Sequence, residues 1–359
     1  MNIKYEKWNS CHSNFEKQSN IKSIKIYESQ QMTSHDICVI IPTYQRANLL
    51  RYAIDSVKEQ NYKGGNFESV HLIVLDNCDD IDKDTDLLMK EYTSNFKNIT
   101  YYRNEKNIGL LGNWNRAIEL CDTEYFVMLH DDDGLKKSYV QNVFKVLNEN
   151  RGKLDILCVH RQLIDENNKL ERRTELSNKD KELINKTYQV TIEDCINSFM
   201  PYLAGSVMKK SSCESVGGFD EQFILNDRFF VAKMALYHTI KVLPEVLYEY
   251  RIGVNQGTND FEKIKEITAM SKELVFQMCS YKKYSLFKRK LCCTCECIMQ
   301  GRGLLQLYPD VDLQYIFGED KIFPVFRIKN KKIYGMIQDI AYKRHEKQRR
   351  TMYQRKGCQ

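Results

Sequence analysis

Three consecutive aspartates end an apolar run in the segment "YFVMLHDDDGL", residues 125–135. The like charges of Asp131, Asp132 and Asp133 repel one another most strongly where water is scarce. A bound dication would relieve this repulsion. Mg²⁺ characteristically takes one or two protein carboxylates and completes its shell with phosphates and waters. The cluster is therefore a candidate site for Mn²⁺ or Mg²⁺ on a diphosphate, with a solvated turn or a helix cap as the alternative.

Polar residues also follow two other apolar runs. The run at residues 37–41 ends at Pro42 and Thr43 in "ICVIIPTYQR", and the run at residues 70–75 ends at Asp76 in "VHLIVLDN". In open parallel sheets, ligands bind beyond the carboxyl ends of the strands. Three polar groups that converge on one sheet edge indicate a binding site more strongly than any one of them does alone.

The elements that would position these residues alternate between strand and helix. We predict strands in "ICVII", "VHLIVL", "ITYYRN" and "YFVML", and helices in "NLLRYAIDSVKEQ", "NWNRAIEL" and "SYVQNVFKVLNEN". This alternation is typical of α/β folds with a mostly parallel sheet flanked by helices. Beyond residue 150 the pattern loosens. We predict a charged loop at residues 165–190 and a strand pair in "IKVLPEVLYEYRI".

The composition indicates a packed globular protein. The chain has 359 residues, of which 42% are hydrophobic and 11% aromatic, enough for one large domain with appendages or for two domains. Thirteen cysteines without an export signal predict reduced thiols and a cytoplasmic location. The "CCTCEC" group lacks the paired spacing of zinc ribbons, so free thiols are expected there as well.

The charge is unevenly distributed along the chain. The formal net charge is +6, but residues 320–359 hold twelve Lys and Arg against three acidic residues. The rest of the chain is therefore slightly acidic, which argues against nucleic acid as a partner of the main domain. Apolar residues recur at helical spacing among these charges, namely Ile333, Met336, Ile337 and Ile340. Tyr342 lies beside them in the sequence. An amphipathic helix on an anionic membrane surface is one interpretation, and packing of the stripe on the main domain is the other.

The ordered motifs "VIIPTYQR", "LIVLDN", "NEKNIGLLGNWNRAI", "YFVMLHDDDGL" and "GGFDE…NDRFFVAKMAL" resemble a family 2 glycosyltransferase of the GT-A fold. The resemblance covers about residues 36–252. It implies inverting transfer of a hexosyl or N-acetylhexosaminyl group from a nucleotide-sugar with the help of a divalent metal. We expect the donor to be a UDP-sugar. It also implies a glycan or lipid-linked acceptor in surface polysaccharide synthesis, met at the inner membrane face. The expected organisation is an N-terminal arm at 1–35, a GT-A domain at 36–255 and a basic helical region at 256–359.

The resemblance also assigns roles to particular residues. It implies that Asp132 binds the metal and that Asp227 is the catalytic base, with a helix N-cap as the alternative for Asp227. Asp76 would accept the imide N–H of uracil, with a simple turn leaving the strand as its alternative. The remaining donor contacts implied are Pro42, Thr43, Tyr44, Arg46, Asn107, Gly109, Asn115, His130 and Asp131.

The chain departs from the family pattern at three positions. His130 stands where the first acidic residue of the motif is usual, so the ribose contact falls to either His130 or Asp131. Gly253 stands where many relatives have histidine, which argues against a metal ligand from that loop. Asn226 replaces the acid that usually precedes the base.

Two other function classes fit parts of the sequence. A sugar-nucleotide nucleotidyltransferase would share the sheet, but it needs a glycine-rich loop after the first strand, and "PTYQRANLL" contains no glycine. A non-catalytic binding subunit would explain the departures at His130 and Gly253, although both Asp132 and Asp227 are present.

Overall fold

The computed structural model describes residues 8–60, 70–78, 80–150, 152–173, 178–183, 186–223, 225–254, 261–307 and 331–355. Within these ranges, one sheet contains the strands β1 Ser23–Glu28, β2 Ile37–Thr43, β3 Val70–Asp76, β4 Ile99–Asn104, β5 Tyr125–Met128, β6 Gly134–Leu135, β7 Ile156–Ile164, β8 Leu170–Arg173, β9 Tyr188–Val190, β10 Val207–Lys209 and β11 Ile240–Arg251. The helices are α1 Ala47–Lys58, α2 Lys83–Asn95, α3 Gly109–Leu120, α4 Tyr139–Glu149, α5 Asn178–Leu183, α6 Ile192–Ile196, α7 Lys210–Ser215, α8 Asn226–Tyr237, α9 Phe261–Tyr281, α10 Leu286–Leu307 and α11 Lys331–Gln354.

The first half of the sheet is parallel, in the order β4-β3-β2-β5. Every residue of β2 and β3 is buried, because helices cover both faces of this part of the sheet. Cys38 and Ile40 face the core that contains α3 and α8, and Val39 faces the core that contains α1, α2 and α4. The predicted mostly parallel α/β fold flanked by helices is confirmed.

The chain reverses its winding direction at β2. It runs outward from β2 to β3 and β4, and then returns to place β5 on the other side of β2. The carboxyl ends of β2 and β5 therefore border a topological switch point, which is where open α/β sheets bind ligands.

The sequence patterns were wrong about three details of the elements. β2 continues through Pro42 to Thr43, although we expected the strand to stop at Pro42. The predicted strand pair after residue 239 is the single strand β11, whose pairing with β7 shifts register between Leu243 and Tyr248. Pro244 lies at that shift, because proline has no N–H to donate to the ladder. The predicted loop at 165–190 contains β8, α5 and β9, which are too short to show a period.

Part of the N-terminal arm belongs to the sheet. β1 pairs antiparallel with β4, and Trp8 is buried in the main core. At the other end of the chain, the described part of the C-terminal region is helical, and a C-terminal helix is present as predicted. The domain boundaries at residues 35 and 255 stay predictions.

The C-terminal helices hold the cysteine group. Cys292, Cys293, Cys295 and Cys297 lie on α10 as buried free thiols. Among the described helices, we find none whose length and hydropathy would let it cross a bilayer.

Candidate active site

Two of the three consecutive aspartates face the loop that follows β2. The Thr43 hydroxyl donates to Asp131 Oδ2 at 2.8 Å, and Arg46 Nη1 lies 3.3 Å from Asp131 Oδ1. The same Arg46 nitrogen lies 3.1 Å from Asp132 Oδ2. These contacts join the ends of β2 and β5 across the switch point. Thr43, Arg46, Asp131 and Asp132 thus lie together, as the sequence predicted.

The charge of this cluster is only partly balanced. Asp131 and Asp132 are both buried and share the single guanidinium of Arg46. Burial raises the pKa of Asp131, and burial together with the charges of its two aspartate neighbours raises the pKa of Asp132. Additional positive charge at this point would therefore be stabilising.

The third aspartate has a different set of contacts. Asp133 is fully buried, and its carboxylate accepts hydrogen bonds from the Tyr248 hydroxyl at 2.5 Å and from the backbone N–H of Arg251 at 2.7 Å. Arg251 Nε also donates to the backbone oxygen of Asp132 at 2.7 Å. Asp133 therefore anchors the end of β11 beneath the site. Sequence reasoning missed Tyr248 and Arg251, although "YEYR" at a strand end was their signal.

His130 is the more accessible of the two ribose candidates. Its side chain is 28% exposed and stacks on Trp114, with ring centroids 5.4 Å apart, whereas Asp131 is occupied by Thr43 and Arg46. Burial opposes the charged form of the imidazole, but the nearby Asp133 carboxylate, 3.4 Å from Nδ1, and the other aspartates outweigh it and raise the pKa of His130. The choice of ribose contact stays a prediction.

The acidic cluster fits a divalent metal. Donor atoms of His130, Asp132 and Asp133 lie within 4.8 Å of one another. Both oxygens of Asp133 already accept hydrogen bonds from protein groups, whereas the carboxylate of Asp132 faces the charge of Arg46. Asp132 is thus the carboxylate best placed to bind Mn²⁺ or Mg²⁺, which need only one or two such ligands.

Asp76 lies at the end of β3 but is turned inward. It is 0% exposed, its Oδ2 accepts from the Tyr101 hydroxyl at 2.8 Å, and its Oδ1 accepts from the Cys78 N–H at 3.0 Å. Burial raises the pKa of Asp76 to about 6. These contacts show a role inside the protein, and reading of a uracil base stays a prediction that requires this carboxylate to change partners.

The predicted donor residues of the β4–α3 region separate into two groups. Asn107 and Gly109 are exposed beside the β3 end, where Asn77 Nδ2 donates to Asn107 Oδ1 at 2.9 Å. Asn115 is instead buried, and its amide exchanges two hydrogen bonds with the backbone of Phe219, at 2.8 and 2.9 Å. Its side chain is therefore already occupied within the protein. It lies inside α3 because the helix begins at Gly109, not near Asn113 as predicted.

The predicted base, Asp227, is exposed on the first turn of α8. The N-cap position belongs to Leu225, and Asp227 Oδ1 accepts from the N–H of Arg228 at 2.7 Å. Asp227 is therefore not the N-cap, and its carboxylate faces solvent. The turn before it contains Gly217 at φ +82°, where an added Cβ would lie 2.0 Å from a backbone oxygen, so glycine is required there.

Trp114 connects this turn to the acidic cluster. Its ring contacts Phe219 edge-on at 5.1 Å and stacks on His130 on its other side. Beside the cluster, a cleft of about 610 Å³ opens between the β2–α1 and β3–α2 loops, and Arg46 lines it together with Gln45 and Asp82. Tyr44 is exposed next to it, while Pro42 is buried inside β2. Arg46 therefore borders both the cleft and the aspartates.

The chain matches the model of glycosyl transferase family 2 over residues 38–211. It is 26% identical over 221 residues to an uncharacterized glycosyltransferase of Methanocaldococcus jannaschii, covering 60% of this chain and 70% of that protein. It is 28% identical over 192 residues to the GalNAc(5)-diNAcBac-PP-undecaprenol beta-1,3-glucosyltransferase of Campylobacter jejuni, covering 53% of this chain and 57% of that one.

Solved structures agree on the fold. Residues 1–349 of TarS from S. aureus superpose with a TM-score of 0.54 at 16% identity, covering 89% of this chain and 90% of that one. The same fragment in complex with UDP gives a TM-score of 0.53 at 15% identity. The family match over residues 38–211 and the similar glycosyltransferases support a family 2 glycosyltransferase.

Proposed function

We propose that the protein is an inverting glycosyltransferase that transfers a hexosyl or N-acetylhexosaminyl group from a UDP-sugar to a glycan or lipid-linked acceptor. The observation that carries the proposal is Arg46 bound to Asp131 and Asp132 at the switch point, beside an open cleft. A nucleoside diphosphate needs one region of positive charge for its phosphates and one acidic group for their metal. This cluster supplies both within one hydrogen-bonded unit.

The proposed chemistry divides among the residues as follows. Asp132 would hold Mn²⁺ or Mg²⁺, which offsets charge on a departing diphosphate when it is bound. Arg46 orients the phosphates at the cleft, and His130 or Asp131 contacts the ribose. Asp227 accepts the proton of the acceptor hydroxyl as that oxygen attacks the anomeric carbon, and the nucleoside diphosphate leaves from the opposite face. Inversion at the anomeric carbon follows from this single displacement.

The names of similar proteins support the proposed classes of donor and acceptor. One TarS structure is a complex with UDP, and the C. jejuni relative acts on an undecaprenol-linked glycan by its name. A role in surface polysaccharide synthesis, with the acceptor at the inner membrane face, is consistent with both.

The test is a panel of UDP-, GDP- and dTDP-sugars with Mn²⁺, in which release of the nucleoside diphosphate is followed. We expect turnover with one UDP-sugar, its loss on chelation, and its loss in Asp227→Asn. Asp339→Asn, an exposed aspartate on α11, serves as the matched control. A wild-type protein that binds UDP-sugars but releases no diphosphate with any acceptor lipid or glycan would favour the non-catalytic subunit.

We also propose that α11 contacts an anionic membrane surface. Three of its apolar side chains are exposed at helical spacing, namely Ile333 at 49%, Met336 at 59% and Ile340 at 50%. Ile337 and Tyr342, in contrast, pack partly against the cluster that includes α10. Each nearby Lys or Arg adds about 1 kcal/mol at an anionic surface.

Substitution tests this membrane proposal better than truncation. The far end of α11 is part of the fold, since Met352 and Tyr353 lie in the main core and Arg355 pairs with buried Asp194 at 2.6 Å. A triple Ser variant at Ile333, Met336 and Ile340 should lose co-sedimentation with anionic vesicles. Ser variants at exposed Ile81 and Leu87 are the matched control. Equal binding to neutral vesicles, or no loss in the triple variant, contradicts the proposal.

A further inference from the structure

A second cluster of titratable groups lies at the opposite edge of the sheet from the aspartates. His35 precedes β2, His71 is the second residue of β3, and Asp122 lies in the turn between α3 and β5. These are the amino ends of three neighbouring parallel strands. Since β2 is seven residues long, about 20 Å of strand separates this cluster from the switch point.

Both imidazoles face the same carboxylate oxygen. His35 Nε2 lies 3.0 Å and His71 Nδ1 lies 2.9 Å from Asp122 Oδ2. The two ring centroids are 4.7 Å apart, and the three ligand atoms lie within 4.8 Å of one another. Ligands at tetrahedral angles around Zn²⁺, with bonds of 2.0–2.2 Å, are separated by about 3.3 Å. Both nitrogen–oxygen separations in the cluster are within a few tenths of an ångström of that value.

The other nitrogen of each ring is already held in place. His35 Nδ1 lies 3.0 Å from the backbone oxygen of Thr33, and His71 Nε2 lies 2.9 Å from the hydroxyl of Thr100. A carbonyl only accepts, so His35 Nδ1 carries the proton. Its Nε2 then faces the carboxylate either with a second proton or with a lone pair that can bind a cation. Metal-bound histidines typically donate their second N–H to an oxygen in this way.

We propose that His35, His71 and Asp122 form a site for a divalent transition metal of the zinc type, separate from the donor site. The imidazole and carboxylate ligands suit Zn²⁺. The Asp122 side chain is 43% exposed, so water can supply the fourth ligand, while the two histidines are largely buried. The metal would bind the start of β2, the start of β3 and the α3–β5 turn to one another.

The test uses the full chain, stripped with chelator and titrated with Co²⁺ as a spectroscopic probe and with Zn²⁺ in competition. We expect one equivalent to give visible d–d bands without the near-ultraviolet charge transfer of a thiolate. His35→Gln and Asp122→Asn should weaken this binding by about 100-fold or more, since even changes to outer-shell partners commonly cost 10- to 100-fold. His71 is more deeply buried, so His71→Gln is informative only if its circular dichroism matches the wild type.

Two variants make the assignment specific. His238→Gln removes another histidine that lies 3.6 Å from an aspartate, and Asp132→Ala removes the proposed donor-site ligand. Both should retain the Co²⁺ bands. Absence of stoichiometric binding would overturn the proposal and leave a proton-bridged His–Asp group. Binding that persists in both His35→Gln and Asp122→Asn, or that shows thiolate charge transfer, would overturn it as well.

Discussion

Replacement of Asp76 by asparagine should make the protein more stable at neutral pH. Burial raises the pKa of Asp76 from its ordinary 3.8 to about 6 in the folded chain. Well below pH 3.8 the carboxyl is protonated in both the folded and the unfolded state. Between about pH 4 and 6 the native state keeps the proton that the unfolded state releases, so stability falls as pH rises. Above that window the penalty is constant, at about 3 kcal/mol.

Asparagine can keep the local hydrogen bonds without the charge. Its oxygen can accept from the Cys78 N–H, and its amide can donate to the Tyr101 hydroxyl oxygen, although the Tyr101 proton then loses Asp76 as its acceptor. Urea unfolding of both proteins at pH 4, 5, 6 and 7.5 measures the effect. We expect a gain of up to about 3 kcal/mol at pH 7.5 that shrinks toward zero near pH 4. A difference that does not depend on pH, or a less stable variant at pH 7.5, would refute the reasoning.

Asp55, on α1, provides a matched control. Asp55 also accepts from a tyrosine hydroxyl, that of Tyr92 at 2.7 Å, but its side chain is 44% exposed to solvent. Asp55→Asn should give no comparable gain, because its charge is already hydrated.

The same Asp76→Asn protein tests the predicted base contact. If Asp76 reads the uracil imide, the variant should bind UDP with Mn²⁺ about 10- to 150-fold more weakly, as a hydrogen bond to a charged group contributes about 1.5–3 kcal/mol. Unchanged UDP affinity in a stabilised variant would restrict Asp76 to its structural role.

Three further substitutions separate the roles of the carboxylates. Asp132→Ala should abolish sugar transfer and weaken the binding of UDP with Mn²⁺, as measured by calorimetry. The urea midpoint should stay unchanged or rise, because like-charge repulsion is removed. An unchanged affinity for UDP would contradict the metal role. Asp133→Ala should lower the free energy of unfolding by about 2–6 kcal/mol, because the Tyr248 hydroxyl and the Arg251 N–H lose a buried acceptor. A urea midpoint equal to that of the wild type would show that water replaces the lost carboxylate. Asp227→Asn should keep UDP affinity but cut turnover by about 10²–10⁴-fold, and near wild-type turnover would exclude it as the base.

The parallel half of the fold could be predicted from sequence because its signals are local. β2 and β3 are buried along their whole length, so their continuous apolar runs stand out, and α1 has one apolar stripe formed by Leu50, Ala53, Ile54 and Val57. The later half gives weaker signals. β10 has three residues and β6 has two, and their pairing partners are distant in sequence. Strands this short show no period.

The grouping of the candidate site residues at one sheet edge follows from strand order, whereas their individual contacts could not be predicted. Thr43, Arg46 and Asp131 come together as expected, because strand order places the ends of β2 and β5 side by side. Asn115 could not be placed from its motif, since its partner Phe219 lies 104 residues away. The contact between Asp133 and the end of β11 spans 118 residues and carries no local pattern.

Adjacent residues in the turn after β5 point in different directions, and this explains the run of three aspartates. Asp131 turns toward the β2 loop, Asp133 turns beneath the site to β11, and Asp132 lies between them with Arg46. Two of the three charges therefore hold the walls of the site in position through hydrogen bonds from the protein. The negative charges of Asp131 and Asp133 place the carboxylate of Asp132 in a strongly negative electrostatic potential at the switch point. Burial of both flanking carboxylates is more than a solvated turn needs, and it fits the proposed cation site on a rigid support.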